Sequence, residues 1–118
     1  MADIKRFAVN PRMSGAVVHG GVAYLSGQVA IDHRGGAVVD QVAEVLRRID
    51  DLLVETGSDR SRLLTATILL ADLATLPELN AAWDRWIVPG CVPTRTTLQA
   101  ILASPAYALE IVVIAAVD

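Results

Sequence analysis

Two strand-like runs near the C-terminus each carry a single charge, of opposite sign, and a small fold must accommodate both. Residues 93–100 hold threonines and a leucine in a short run, closed by Ser104-Pro105, and read as a β-strand. Side chains alternate across a strand, so Arg95, Thr97 and Gln99 share one face, and Thr96, Leu98 and Ala100 the other. Residues 108–116 form the final strand, apolar except for Glu110, which shares a face with Val112 and Ile114. A charge inside such a strand is costly to bury without a partner. A hairpin around Ser104 and Pro105 is the simplest pairing. It sets Arg95 near Ile114 and Glu110 near Gln99, on the order of 13 Å apart at ~3.3 Å per residue. That distance excludes direct contact within one chain. Either each charge has another partner, or both line a cavity with a ligand or a neighbouring subunit between them.

The chain of 118 residues reads as one domain, 1–118, long enough for a real core. Hydrophobic residues make up 53% and mean hydropathy is +0.47, high for so short a chain. No apolar run approaches the ~20 residues of a membrane helix, so no membrane partner is expected. Residues 1–6 lack the apolar core of a secretory signal. The expected outlet for the extra apolar surface is oligomerisation. The single cysteine, Cys91, forms no internal disulfide, which fits a reducing cytoplasm. Net charge is −3 without a basic block, so nucleic acid is not an expected partner.

Residues 4–9, 16–19 and 22–30 read as three strands. Gly20-Gly21 makes a tight turn between the second and third. Gly27, inside the third, marks a bulge or a close approach to the backbone. Residues 39–55 form the clearest helix. Val39, Val42, Leu46, Ile49 and Leu53 make its apolar stripe, Glu44, Arg47, Arg48, Asp50, Asp51 and Glu55 fill the solvated side, and Gly57 stops it. Residues 63–70 are a strand apolar on both faces, placed centrally. Thr75 and Glu78 stand in capping-box spacing before a second helix that presents Leu76, Leu79, Trp83 and Trp86. Pro89-Gly90 ends it, and the arginine and glutamate strands follow. This order predicts an α+β fold: a mixed sheet with both helices on one face. The uncovered face must meet something, and a second copy of the chain is the economical answer.

Most chemistry-bearing residues have a plain structural reading. His19 and His33 are isolated, no Cys/His cluster has metal-ligand spacing, and no metal or cofactor is expected. His19 reads as a sheet-surface residue and Cys91 as a passive loop thiol. Ser26 lacks the context of a nucleophile elbow, although its hydroxyl and the Gly27 backbone are placed to contact a ligand. Gly35-Gly36 is a turn. Trp83 and Trp86 read as core packing, and Arg34, Arg47, Arg48, Arg60, Arg62 and Arg85 as solvated surface. Arg95 and Glu110 are left. A guanidinium pairs with a carboxylate through two parallel hydrogen bonds, and a desolvated glutamate suits proton transfer or water positioning. Together they describe a site for a small anionic substrate.

Five segments in order carry a family resemblance: residues 24–28, the helix from Gln41 to Thr56-Gly57, residues 79–83, Val92-Pro93-Thr94-Arg95, and residues 109–115. With them the chain resembles the Rid family, the YjgF-like reactive-intermediate deaminases, some of which carry the older label of L-PSP endoribonuclease. The resemblance implies a chorismate-mutase-like fold, a homotrimer around a central β-barrel, and ligand sites in the clefts between subunits. It also implies cofactor-free hydrolysis of 2-imino acids or their enamine tautomers to 2-oxo acids and ammonia. In that scheme Arg95 holds the substrate carboxylate and Glu110 positions or activates the attacking water. Ser26, Gly27 and Asn80 match pocket-lining positions, and Thr97 stands where many members have cysteine.

The chain departs from that pattern in two places. Arg12-Met13 aligns with a Pro-Tyr pair whose tyrosine contributes to the site in other members, so Met13 joins the candidate lining. The segment between Gln28 and Gln41 is also short. Two readings follow: an imine deaminase, or a trimer that binds a small carboxylate metabolite without turnover. Ribonuclease activity is disfavoured, because the acidic chain has no basic stripe and no histidine pair for RNA cleavage.

Overall fold

The computed structural model describes residues 3–118; within 1–6, the positions Met1 and Ala2 lie outside the described residues. Its elements are β1 (Lys5–Val9), β2 (Ser14–His19), β3 (Val22–Leu25), α1 (Val38–Thr56), β4 (Leu63–Leu70), α2 (Leu76–Trp86), β5 (Thr94–Gln99) and β6 (Leu109–Ala116). The strands form one six-stranded sheet in the order β1-β2-β3-β6-β4-β5. Hairpin neighbours β1, β2 and β3 pair antiparallel, β6 is antiparallel to both β3 and β4, and β4 pairs parallel with β5.

The expected β5–β6 hairpin does not form. β6 returns to the middle of the sheet and fills the gap between β3 and β4, where Leu109, Ile111, Val113 and Ala115 are fully buried. The physical reason lies in the residues. β6 offers an apolar row that a central position can desolvate, while β5, with three threonines, Arg95 and Gln99, suits an edge. β4 is central, as its two apolar faces predict.

Both helices pack on one face of the sheet. Val42, Val45, Leu46, Ile49 and Leu53 of α1 and Leu79, Trp83 and Trp86 of α2 meet Ala66, Ile68 and Leu70 of β4 and the buried row of β6. Each such large apolar side chain contributes ~1.5–3 kcal/mol on burial. Gly57 ends α1 at φ 87°, a left-handed cap whose N–H donates to the Val54 carbonyl at 3.1 Å. Val39, placed on the apolar stripe by spacing, is exposed at the first turn. The Thr75–Glu78 capping box is also absent: Thr75 makes no side-chain cap on α2. Asp72 instead accepts from the Ala74 amide at 2.9 Å and caps the short 3₁₀ turn Leu73–Thr75 that leads into the helix.

Glu44 corrects the reading of α1's polar side. It is buried, not solvated, because residues 32 and 33 fold over it. Its carboxylate accepts from the Asp32 and His33 amides at 3.1 and 3.0 Å, from His33 Nδ1 at 2.7 Å and from Arg48 Nε at 2.5 Å. Burial alone raises such a carboxyl, but the hydrogen bonds from His33, Arg48 and the Asp32 amide outweigh it and hold Glu44 at about 2. A carboxylate with a folded pKa below its ordinary 4.5 stabilises the fold above pH 4.5 and loses that contribution as pH falls toward 2. Screening through the exposed His33 and Asp32 leaves about 1–2 kcal/mol of this. Glu44→Gln therefore lowers the melting temperature at neutral pH, and its deficit against wild type narrows below pH 4.5. A deficit that stays constant down to pH 3 removes the titration assignment.

Candidate active site

β3 ends at Leu25, and the sheet resumes at a bridge between Gln28 and Ile111. Tyr24 stands opposite Ile114, so an unbroken register would set Gln28 opposite Glu110. One extra residue has entered the strand at Ser26-Gly27, which is the bulge that the internal glycine predicts. It turns Gly27 toward Glu110. A Cβ built on Gly27 would stand 2.7 Å from Glu110 Cδ and 3.0 Å from its Cγ, so only glycine lets the carboxylate lie against the backbone here. Gln28 Nε2 donates to the Ser26 carbonyl at 3.0 Å and to Ser26 Oγ at 3.2 Å, which holds the bulge in shape. The Ser26 amide donates to the Gly15 carbonyl at 2.9 Å, so the bulge is fixed from the β2 side as well. Met13 lies two residues before Gly15, exposed in the β1–β2 turn, its amide donating to Asn10 Oδ1 at 3.0 Å.

Arg95 belongs to a second group. Arg95 pairs with Ala66, and Ala66 with Val113, so the arginine projects on the helix-covered face beneath α2. Nε donates to Thr97 Oγ1 at 3.0 Å and Nη2 donates to Asn80 Oδ1 at 2.7 Å. The guanidinium carbon stands 5.6 Å from the Trp83 ring centre. Asn80 and Trp83 are three residues apart and share one face of α2, which is why both reach Arg95.

The candidate residues thus fall into two groups. Gly27, with Ser26 beside it, lies against Glu110, and Met13 stands apart in the β1–β2 turn. Arg95, Thr97 and Asn80 come together at the β5 edge. Glu110 pairs with Leu69 and Leu69 with Leu98, which puts Glu110 two strands from β5, three residues along it from Arg95, and on the opposite face. Two strand spacings and three residues amount to ~14 Å. A separation like the one expected is therefore present, though it arises from two strand spacings and three residues of register and not from a hairpin. Among the described residues, no ion pair engages either charge. No group of three or more metal-ligating side chains occurs among them either. A groove of about 470 Å³ between α1 and α2, lined by Val39, Ala43, Pro77, Ala81 and Arg85, touches none of the candidates.

Gln41 and Trp83 carry more than their sequence reading. Gln41 is buried. Its Oε1 accepts from the Ala108 amide at 2.8 Å, and its Nε2 donates to the Gly36 and Ala106 carbonyls, each at 3.1 Å. It pins the entry of β6 two residues before Glu110. The signal was an amide on the buried stripe of α1, one turn from Val45. Trp83 is core, as expected, but also contacts Arg95, and no spacing in the sequence links α2 to β5.

Comparison with known proteins places these features in a wider set. The family model described as Endoribonuclease L-PSP matches residues 4–117. A RutC family protein of Haemophilus ducreyi is 40% identical over 115 residues, covering 98% of this chain and 97% of that one. The crystal structure of a YjgF family member from Neisseria meningitidis superposes with a TM-score of 0.92 at 38% identity, covering 98% of this chain and 96% of that one. At a greater distance, a mouse protein named 2-iminobutanoate/2-iminopropanoate deaminase is 28% identical over 97 residues, 78% of this chain and 71% of that one.

Proposed function

We propose, for a chain that belongs to the Rid/YjgF family whose model is described as Endoribonuclease L-PSP, cofactor-independent hydrolysis of 2-imino acids to 2-oxo acids and ammonia. The observation that carries this reading is that Arg95 and Glu110 lie on opposite faces of one sheet, each without an ion-pair partner among the described residues. Two such half-sites complete one pocket when the Glu110 face of one copy meets the β5 edge of another. A homotrimer around a central barrel is the assembly proposed. Tyr24, Leu98 and Ile101 are exposed apolar side chains on or beside these surfaces and support it. The name of the mouse relative supports the substrate class.

The chemistry is one addition and one elimination. Arg95 binds the carboxylate and brings the C2 imine carbon to the Glu110 of the facing copy. Glu110 takes a proton from water as the water oxygen attacks C2, forming a carbinolamine. Glu110 hands the first proton to the nitrogen to complete the carbinolamine, then relays the carbinolamine hydroxyl proton to the same nitrogen, so the C–N bond breaks, ammonia leaves and the C2 carbonyl forms. Gly27 lets Glu110 sit low against the backbone, which leaves room for the water.

A second reading, binding without turnover, is favoured by Met13, an exposed thioether in the β1–β2 turn where other members carry a site tyrosine. One experiment separates the two. Purified protein at substoichiometric amounts is added to freshly generated 2-iminobutanoate, and its mass in solution is measured by light scattering. Accelerated imine decay by a species of about three chain masses is the expected result. Decay at the buffer rate, with 2-oxobutanoate still raising the melting temperature, selects the binder. A monodisperse monomer removes the shared site.

A further inference from the structure

Arg95 is held on three sides by its own chain. Thr97 Oγ1 accepts from Nε at 3.0 Å and Asn80 Oδ1 accepts from Nη2 at 2.7 Å, so the Nε–Nη2 edge of the guanidinium is occupied. The Trp83 indole lies against one face, with the guanidinium carbon 5.6 Å from the ring centre. A guanidinium has five N–H donors in a planar fork. Two are used here, and the free pair that can still receive two oxygens side by side is the Nη1–Nη2 end.

The indole is itself anchored. Trp83 packs against Trp86 with ring centres 5.4 Å apart at 44°. Trp86 Nε1 donates to Asp50 Oδ2 at 3.1 Å, and Arg60 pairs with Asp50 at 3.0 Å while donating to the Trp86 carbonyl at 2.9 Å. Trp83 is nearly fully buried, so its ring plane is set by the core and not by solvent. An exposed arginine is thereby braced against the α1–α2 packing.

We propose that Trp83 is a positioning residue for carboxylate recognition: it fixes the guanidinium plane, and a planar carboxylate docks end-on at the Nη1–Nη2 fork. The choice of a 2-oxo or 2-imino acid as the carboxylate rests on the deaminase reading; the orientation of the fork does not. Fixing the plane before the ligand arrives spares the ordering of a long side chain on binding, and the indole face adds cation–π attraction.

The test uses the full chain and two readouts. The first is the arginine Nε–H region of the NMR spectrum, with Arg95 assigned by its loss in Arg95→Lys. The second is affinity for 2-oxobutanoate, with KM and kcat for the imine. In wild type the Arg95 Nε–H exchanges slowly and is shifted by the indole ring current. Trp83→Leu removes that shift and weakens 2-oxobutanoate about tenfold, raising KM more than it lowers kcat. Trp83→Phe retains the stack and stays within about threefold of wild type. Where Trp83→Leu does not fold, the ring-current shift of the Arg95 Nε–H in wild type, and its reduction in Trp83→Phe, carry the test. A folded Trp83→Leu with the wild-type Nε–H signal and wild-type affinity overturns the proposal, as does a wild-type Arg95 Nε–H that carries no ring-current shift. Wild type that binds no 2-oxobutanoate overturns carboxylate docking, the deaminase reading being decided separately by imine decay, while the Nε–H signal still decides whether Trp83 holds Arg95.

Discussion

Glu110→Gln lowers imine hydrolysis by ~10²-fold or more, the usual scale for losing a general acid/base group, and leaves the fold and 2-oxo acid binding in place. Glutamine fills the same space against Gly27, where Glu110 Cδ stands 2.7 Å from the position a Cβ would take. It cannot take the proton of the attacking water. No ion pair among the described residues is broken by the change, so no partner charge is orphaned. Binding of a 2-oxo acid tightens, if anything, because one negative charge near the ligand is gone. The measurement is imine half-life, 2-oxobutanoate affinity and melting temperature on wild type and variant. Full activity in folded Glu110→Gln eliminates the catalytic role of this carboxylate.

Arg95→Lys loses binding and turnover together. Lysine keeps the charge but has no planar fork, no Nε to engage Thr97 and a poorer match to the Trp83 face. Two charge-assisted hydrogen bonds to the substrate are replaced by a single-point contact, at about 2–3 kcal/mol. That corresponds to a fall of ~10²-fold in kcat/KM, with a parallel rise in the 2-oxobutanoate dissociation constant. The contrast with Glu110→Gln is the informative part: one variant separates affinity from rate and the other does not. Undiminished 2-oxobutanoate affinity in Arg95→Lys eliminates the carboxylate clamp. Were the two residues purely structural, each variant would lower stability and leave the folded fraction fully active.

The sequence carries the local elements well and their long-range partners poorly. Val42, Leu46, Ile49 and Leu53 at helical spacing, with Gly57 beyond them, place α1 to within about a residue at each end, because both signals are local. β4 has the bounds its apolar run predicts. Gly27 announces its bulge because a missing side chain inside a strand has few other uses. The hairpin between β5 and β6 fails because chain proximity is only a default. Nothing within residues 94–116 states that β3 and β4 leave an open slot. Glu44 reads as solvated for the same reason: its helix position looks like that of Arg47 or Asp51, and the donors that bury it come from residues 32, 33 and 48. At the site, Arg95 and Glu110 are legible as lone charges in strands. Their opposite faces are not, because face assignment depends on which strands pair, and Trp83's contact with Arg95 depends on where α2 crosses β5.

The insertion of β6 between β3 and β4 has a consequence for how the protein is made. All seven other main elements precede it in the chain. A nascent polypeptide that has reached β5 holds two separate sheet fragments, β1-β2-β3 and β4-β5, with an unfilled slot between them and the apolar faces of α1 and α2 uncovered. The contacts that close the core join residues far apart in sequence, such as Tyr24 with Ile114 and Leu63 with Ala115, and contacts of that kind form slowly. Until β6 arrives, the exposed edges of β3 and β4 are open to any other strand, including the β6 of a sister chain on the same message. Until β6 is made, the position between β3 and β4 is therefore vacant, and strand pairing between chains is the hazard that this topology sets.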